Sequence, residues 1–451
     1  MQKLTAFKAY DVRGRMPEEL NERLARDIGR AYAAFVKPKR VAVGYDIRLS
    51  SPALAQALKE GLKDGGCDVL DIGLWGTEAV YYATFAGRLD GGIMVTASHN
   101  PPDYNGMKFV REQSRPISAD TGLKDMAALI ESGGLPPPVE KRGTEKKHDI
   151  RKEYLEHLLG YIDLGKLRKL KIVVNAGNGG AGLVVDQLAP HLPFEFIKLN
   201  HDPDGTFPNG VPNPMLEENR AATADAVRRS GADIGLAWDG DYDRCFFFDE
   251  HGTFIEGYYL VGLLAEVFLK REPGARIVHD PRLTWNTVDI VRRHGGEPVL
   301  CKSGHAFIKA KMREVDGAYG GEMSAHHYFR EFSYCDSGMI PWLLVLQTIC
   351  ERGKTLSQLV GERMRLFPAS GEINRHLKTE AKAVLARVQK LYEKGAQSVD
   401  FTDGLSIEYA DWRFNLRGSN TEPLVRLNVE SRGNEALMRE KTRELLAVLD
   451  E

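Results

Sequence analysis

One pattern recurs three times along the chain, and it restricts the fold more than any other feature. Each copy runs from an apolar strand through a polar loop and a helical stretch to a second strand, with first strands beginning near residues 40, 172 and 276. The copies read RVAVGYDIRLSSPALAQALKEGLKDGGCDVLDIG, KIVVNAGNGGAGLVVDQLAPHLPFEFIKLN and RIVHDPRLTWNTVDIVRRHGGEPVLCKSG. A short apolar run that gives way to helical spacing and then returns, punctuated by glycine and proline, is the mark of the βαβ unit of a parallel sheet. Each copy continues with another helical stretch (EAVYYATFAG, NRAATADAVRRSG, HAFIKAKMREVD) and a third apolar strand that ends abruptly in a polar loop. Open α/β sheets bind ligands at the carboxyl ends of their strands. The three loops, TASHNPPDYNGMK, DGDYDRC and GEMSAHHYF, are therefore where chemistry is expected.

The repeat also sets the domain organisation. Residues 131–149 (ESGGLPPPVEKRGTEKKHD) are rich in proline, glycine and charge without apolar periodicity, which marks a linker or surface excursion. A second boundary falls near Glu250 to Gly252. After LFPASG the pattern changes to scattered strands (EINRHL, LSIEYA, WRFNLR, VRLNVES) closed by the helical ALMREKTRELLAVLD, as in a smaller α+β domain. The expected domains are 1–149, 150–250 and 251–366, each α/β, and 367–451, α+β. A length of 451 residues with 43% hydrophobic content agrees with several cores rather than one.

Lys and Arg number 61 against 63 Asp and Glu, so no global basic field is available to attract nucleic acid. The five cysteines are scattered without a C-x-x-C pair, which argues against a disulfide framework or thiolate zinc and for a reducing compartment. The start, MQKLTAFKAYDVRG, lacks a signal-peptide core, and the greasiest stretches (YYLVGLLAEVFL, MIPWLLVLQTIC) are too short to span a bilayer. A cytoplasmic protein with no membrane segment is expected.

DGDYDRC sets Asp239, Asp241 and Asp243 at alternate positions directly after a buried strand, where a turn can fold three carboxylates around one hard cation such as Mg²⁺. A calcium EF-hand fails, because Arg244 stands where the loop needs glycine and strands, not helices, flank it. TASHNPPDYNGMK, punctuated by Pro101, Pro102 and Gly106, puts Ser98 at the tip of a rigid turn. Ser98 lies outside any G-x-S-x-G elbow, and the adjacent His99 is not expected to fold back on it as in a hydrolase triad. GEMSAHH offers a carboxylate, a hydroxyl and imidazoles suited to sugar hydroxyls. RGSNTEP joins Arg417 to the short donors Ser419, Asn420 and Thr421 on a turn, with Arg426 on the next strand, a combination that grips phosphate.

Two rival readings come from the same residues. GNGGAG (Gly177, Gly179, Gly182) follows a strand, opens a helix and has Asp202 beyond it, which satisfies the formal dinucleotide fingerprint. Tight glycine packing between strand and helix explains it equally, and nothing nearby supplies hydride chemistry. Strand-D-x-D is also the opening of aspartyl-phosphate enzymes of the haloacid-dehalogenase type, in which Asp239 would be the nucleophile.

Taken together, AYDVRG (Tyr10 to Gly14), TASHNPPDYNGMK, DGDYDRC, KSGHAFIK, GEMSAHH and RGSNTEP occur in one order over the whole chain. This set resembles the α-D-phosphohexomutase superfamily, and within it the bacterial phosphomannomutase/phosphoglucomutase branch. The resemblance implies four domains around a central cleft, three with similar mixed α/β sheets and a smaller C-terminal α+β domain. It implies that Ser98 carries phosphate and, with Asp239, Asp241 and Asp243, holds Mg²⁺. Arg13, His99, Lys108 and Arg244 would surround the transferring phosphoryl group. Tyr10, Arg282, His305, Glu322, Ser324 and His326 would meet the substrate, and Arg417, Ser419, Asn420 and Thr421 the phosphate that stays. The implied reaction interconverts hexose 6-phosphate and hexose 1-phosphate, for mannose and also glucose, with a hexose 1,6-bisphosphate as intermediate and activator. Small hexose phosphates are the expected partners, in a monomer or weak homo-oligomer. Ala325 and Arg282 depart from the glycine and lysine familiar at those places, which bears on sugar contacts rather than on phosphoryl chemistry.

Overall fold

The computed structural model describes residues 4–377, 379–418 and 424–450. The chain divides into two compact units, Met1–Phe254 with Glu331–Gly353, and Ile255–Arg330 with Lys354–Glu451. Among the described residues no helix is long and apolar enough to cross a membrane.

The first unit contains two of the three repeats. In the first, the strands Tyr104–Arg111, Gly91–Val95, Arg40–Tyr45 and Asp68–Leu74 lie side by side in that order. Arg40–Tyr45 pairs in parallel with both neighbours, and Tyr104–Arg111 returns antiparallel along Gly91–Val95. In the second, Cys245–Phe248, Ile234–Trp238, Lys171–Asn175 and Glu195–Leu199 repeat the order and the directions. The second unit holds the third copy: His327–Phe329, Tyr319–Gly321, Arg276–His279 and Glu297–Leu300. First strands at 40, 171 and 276 agree with the sequence periodicity. The central strands GGIMV and IGLAW are buried at every position, because helices and loops cover both faces of such sheets.

In all three copies the polar loop is the turn between the third strand and the antiparallel fourth, at residues 96–103, 239–244 and 322–326. Each turn contains a non-glycine residue with left-handed backbone, Ser98 (φ 49°), Tyr242 (φ 45°) and Ala325 (φ 69°). Such residues persist only where their surroundings over-determine them.

The segment expected to be a linker or surface excursion, 131–149, contributes a strand of its own. Glu145–Lys147 adds in parallel to Asp68–Leu74 at the edge of the first sheet, and Lys59 Nζ ties it down through Glu145 (2.7 Å) and Asp71 (2.7 Å). The C-terminal part is an antiparallel sheet in the order Ile373–His376, Leu424–Ser431, Trp412–Gly418, Leu405–Glu408, Ser398–Asp400. Val384 and Val388 of the helix Ala381–Tyr392, and Met438, Leu445 and Leu449 of Glu435–Asp450, share a core with its strands.

Candidate active site

In the first unit the ends of two neighbouring sheets meet. Ser98 Oγ donates to Asp239 Oδ2 at 2.9 Å, and both residues are buried. Backbone proximity makes this contact feasible. A Cβ on Gly240 would lie 2.6 Å from the Ser98 carbonyl oxygen, so only glycine lets the aspartate loop come this near the serine turn. Thr77, at the start of the helix Thr77–Ala86, steadies the other side: its N–H donates to the Asp241 carbonyl (3.2 Å) and its hydroxyl to Asp241 Oδ2 (2.5 Å).

Asp239, Asp241 and Asp243 each offer a carboxylate oxygen within 4.8 Å of the others, all from buried side chains. Lys108, on the strand that leaves the Ser98 turn, bridges two of them, 2.8 Å from Asp241 and 2.6 Å from Asp243. Burial alone would lower the Lys108 ammonium, but the two carboxylates more than reverse it, so Lys108 is held charged. Burial would likewise raise the Asp241 carboxyl, and Lys108 overrides it and holds the group well below its usual range. Asp241 Oδ1 is buried and has no hydrogen-bond partner among the described residues. An all-oxygen, anionic donor set with a bare carboxylate oxygen fits a hard divalent cation such as Mg²⁺.

Arg244 closes the pocket. Its Nε and Nη2 donate to Asp239 Oδ2 at 2.9 and 2.7 Å, and Nη2 also donates to His99 Nδ1 at 2.5 Å. Burial, with Arg244 and Arg13 beside it, pushes the His99 imidazole well below its ordinary value, so the ring is neutral. The expectation that His99 would not fold back on Ser98 in the geometry of a hydrolase triad rested on their adjacency, yet Nδ1 lies 3.1 Å from Ser98 Oγ, brought there by the left-handed turn. The conclusion drawn from it stands for another reason. A guanidinium has no lone pair to offer, so Nδ1 must accept from Arg244, and its lone pair is committed away from Ser98. Arg13 binds Asp11 Oδ2 through Nε (2.7 Å) and the Asn100 side chain through Nη1 (2.5 Å), which seats it against the serine turn.

The residues that set this turn were only partly visible in the sequence. Arg48 is 2% exposed, and its guanidinium donates to four carbonyls of the turn: Pro101 (2.7 Å), Tyr104 (2.9 Å), Ser98 (2.9 Å) and Asn100 (2.6 Å). Asp46 accepts from the Arg48 backbone N–H at 3.0 Å and pairs with its guanidinium, 3.5 Å from Nε. The available signal was D-x-R at the carboxyl end of a first strand, and it recurs as Asp280 and Arg282 in the third repeat. Thr77 gave no signal.

The second unit gathers most of the expected sugar and phosphate residues. Glu322 is buried and accepts from the Gly304 N–H (2.9 Å) and the Tyr328 hydroxyl (2.5 Å). Arg282 is 2% exposed, pairs with Asp280 and reaches Ser324 Oγ at 3.1 Å. His305 begins the helix His305–Val315, half-buried, with its ring 6.5 Å from that of His326, which stacks on Tyr328. Arg417 is the next-to-last residue of the strand Trp412–Gly418 and pairs with Glu372 at 3.1 Å. Tyr10 is half-buried just before the strand Val12–Arg15. Ser419, Asn420 and Thr421 lie outside the described residues. The glycine-rich GNGGAG loop is occupied by packing: a Cβ on Gly182 would lie 2.2 Å from the His201 carbonyl, and the Gly180 N–H donates to the Gly240 carbonyl (3.2 Å). Those glycines support the aspartate loop.

Known proteins show the same arrangement of parts. Sequence models of phosphoglucomutase/phosphomannomutase match in chain order: alpha/beta/alpha domain I over residues 4–133, domain II over 152–252, domain III over 256–367 and the C-terminal domain over 372–447. An Escherichia coli phosphomannomutase is 60% identical over 456 residues, covering all of both chains. Phosphohexose mutases of Xanthomonas campestris pv. campestris are 60% identical over 450 residues, covering 99% of each chain. The crystal structure of a phosphoglucomutase/phosphomannomutase family protein from Burkholderia thailandensis superposes with a TM-score of 0.89 at 34% identity, covering all of this chain and 98% of that one. Four domain matches in order, with end-to-end identity at this level, establish that the chain belongs to the phosphoglucomutase/phosphomannomutase family.

Proposed function

We propose that this phosphohexomutase interconverts the 6-phosphate and 1-phosphate of mannose, and also of glucose, through phosphorylated Ser98 and a hexose 1,6-bisphosphate. The observation that carries the reading is Ser98 Oγ at 2.9 Å from Asp239, inside a buried pocket of three carboxylates. O6 and O1 of a hexose are too far apart for one phosphate to pass directly between them, so an enzyme-borne phosphate must serve each end in turn. A sugar hydroxyl forms a bond to phosphorus as the Ser98 Oγ–P bond breaks, and the proton it gives up ends on the released Ser98 Oγ. The bisphosphate then turns around and returns its other phosphate to Ser98.

Asp239, Asp241 and Asp243 would hold Mg²⁺ together with the phosphorylated Ser98, and the ion would neutralise charge that builds up on the transferring group. Lys108, Arg244 and Arg13 contribute fixed positive charge beside the serine, and Arg48 fixes the turn that carries it. In the second unit Glu322, Ser324, His305 and His326 meet sugar hydroxyls, while Arg417 with Ser419, Asn420 and Thr421 holds the phosphate that is not transferred. A loop that bonds mainly to O3 and O4 would accept either configuration at C2, which gives the dual mannose and glucose activity. The functional domains are 1–149, 150–250, 251–366 and 367–451, and the working form is a monomer or weak homo-oligomer.

The test is a mutase assay with mannose 1-phosphate and glucose 1-phosphate, with and without a sugar 1,6-bisphosphate primer, on wild type and Ser98→Ala. Near-total loss of turnover in a folded variant is expected. Unchanged turnover would overturn the assignment, and strong preference for one sugar would overturn its dual specificity.

A further inference from the structure

Three arginines of the second unit converge on one carboxylate. Glu372, just before the strand Ile373–His376, has a side chain 9% exposed and lies 3.1 Å from Arg417, 3.4 Å from Arg282 and 3.7 Å from Arg426. Arg417 and Arg426 are register partners on adjacent antiparallel strands, where like charges repel each other. Arg417 has a second carboxylate, Asp403, at 3.6 Å. Burial would raise the Glu372 carboxyl, and the three guanidiniums more than reverse this, so it is an anion. The cationic cluster is thus already partly neutralised from within, at the place where a phosphate is to be gripped.

We infer that Glu372 is a built-in counter-anion to the phosphate clamp, a positioning residue that aims Arg417 and Arg426 and limits how tightly they hold a phosphate. This rests on the reading of Arg417 as part of that clamp. A carboxylate and a phosphate compete for the same guanidinium N–H groups and for the same positive charge. In a reaction whose intermediate must leave the clamp, turn around and re-enter it, an unopposed arginine pair would hold the first orientation too long. A purely structural Glu372 makes the opposite prediction, because its loss would splay the arginines and weaken phosphate binding.

Glu372→Gln, which keeps shape and removes charge, is compared with wild type for kcat and KM with mannose 1-phosphate and for inhibition by inorganic phosphate. KM and the inhibition constant are both expected to fall, on the order of tenfold, with kcat falling severalfold as release slows. Glu372→Asp, which keeps the charge, should stay near wild type in the inhibition constant. An inhibition constant that is unchanged or higher in Glu372→Gln overturns the inference. Should that variant fail to fold, Asp403→Asn removes the other carboxylate on Arg417 and carries the same expectation with a smaller fall; no fall there overturns it too. Arg417→Ala separates the two levels. A rise in KM and in the phosphate inhibition constant keeps the clamp and leaves Glu372 to be judged by its own variants, whereas unchanged values refute the clamp itself and the inference with it.

Discussion

Replacing Arg48 with methionine tests whether the serine turn is held from beneath. Methionine keeps a stem of similar length and removes every donor. Four carbonyls, at Ser98, Asn100, Pro101 and Tyr104, lose charged hydrogen bonds of 2.6 to 2.9 Å. Asp46, 3% exposed, loses its cation while keeping the Ser51 hydroxyl. At about 1.5 to 3 kcal/mol for each bond to a charged donor, the four would sum to roughly 6 to 12 kcal/mol. Bonds that share one guanidinium do not add, and the freed turn can reach water, so the relevant scale is that of breaking one buried pair, about 3 to 5 kcal/mol. The catalytic effect is separate. Freeing the Ser98 carbonyl lets Oγ leave its 2.9 Å approach to Asp239, and misplacement by about 1 Å costs on the order of 100-fold in rate. Urea unfolding and mutase turnover at saturating substrate measure the two. Arg48→Lys should recover only part of each, because an ammonium has three donors and no planar fork. Arg48→Met within about 1 kcal/mol of wild type, and within roughly threefold in turnover, would show that the guanidinium does not hold the turn.

Gly240→Ala puts a methyl group 2.6 Å from the Ser98 carbonyl, so the two loops must part. Turnover should fall by about 10- to 100-fold, with affinity for the sugar phosphate changed far less, and equal loss in both would show a general disruption. Glu78, buried between Tyr154, Ser337 and the N–H groups of Gly338 and Met339, has its carboxyl pushed up to about 8 by burial, against the pull of those hydrogen bonds. The native chain therefore keeps a proton that the unfolded chain loses above 4.5. Its contribution to stability is complete below that pH and is lost as pH rises towards 8, with a slope of up to about 1.4 kcal/mol per pH unit. Unfolding followed by tryptophan fluorescence between pH 5 and 8 should show the decline, and Glu78→Gln should flatten it; an unaltered slope in the variant would assign the effect to another group.

The three sheets were legible because their central strands are short apolar runs set between stretches of helical spacing, a contrast that survives in a single sequence. The edge strand Glu145–Lys147 was not, because EKK carries no apolar signal and is exposed at each position. It is held by Lys59, a residue far away in the chain, through charge. The aspartate trio was legible since alternate spacing after a buried strand is itself the geometry. Thr77 was not, because a helix-initiating threonine looks the same whether its hydroxyl caps a turn or, as here, binds Asp241.

Arg48 and Arg282 show most clearly where pattern gives out. Both follow a first strand as D-x-R, both are 2% exposed, and each pairs with the aspartate two residues before it. One then clasps the backbone of the serine turn, while the other reaches the side chain of Ser324 in the third loop. Periodicity identifies strands through what they bury, but a guanidinium in a strand-end turn reads as solvated until its partners are known. The partners come from a loop some fifty residues away in the first repeat and some forty in the third, so the device is tertiary, not local. In the first repeat this explains the strained turn: left-handed backbone at Ser98 survives where a buried arginine holds the carbonyls of Ser98, Asn100 and Pro101. A repeat that duplicates strand, aspartate and arginine therefore duplicates an anchor beneath a loop, and leaves the loop free to carry the Ser98 hydroxyl in one copy and Glu322 and Ser324 in another.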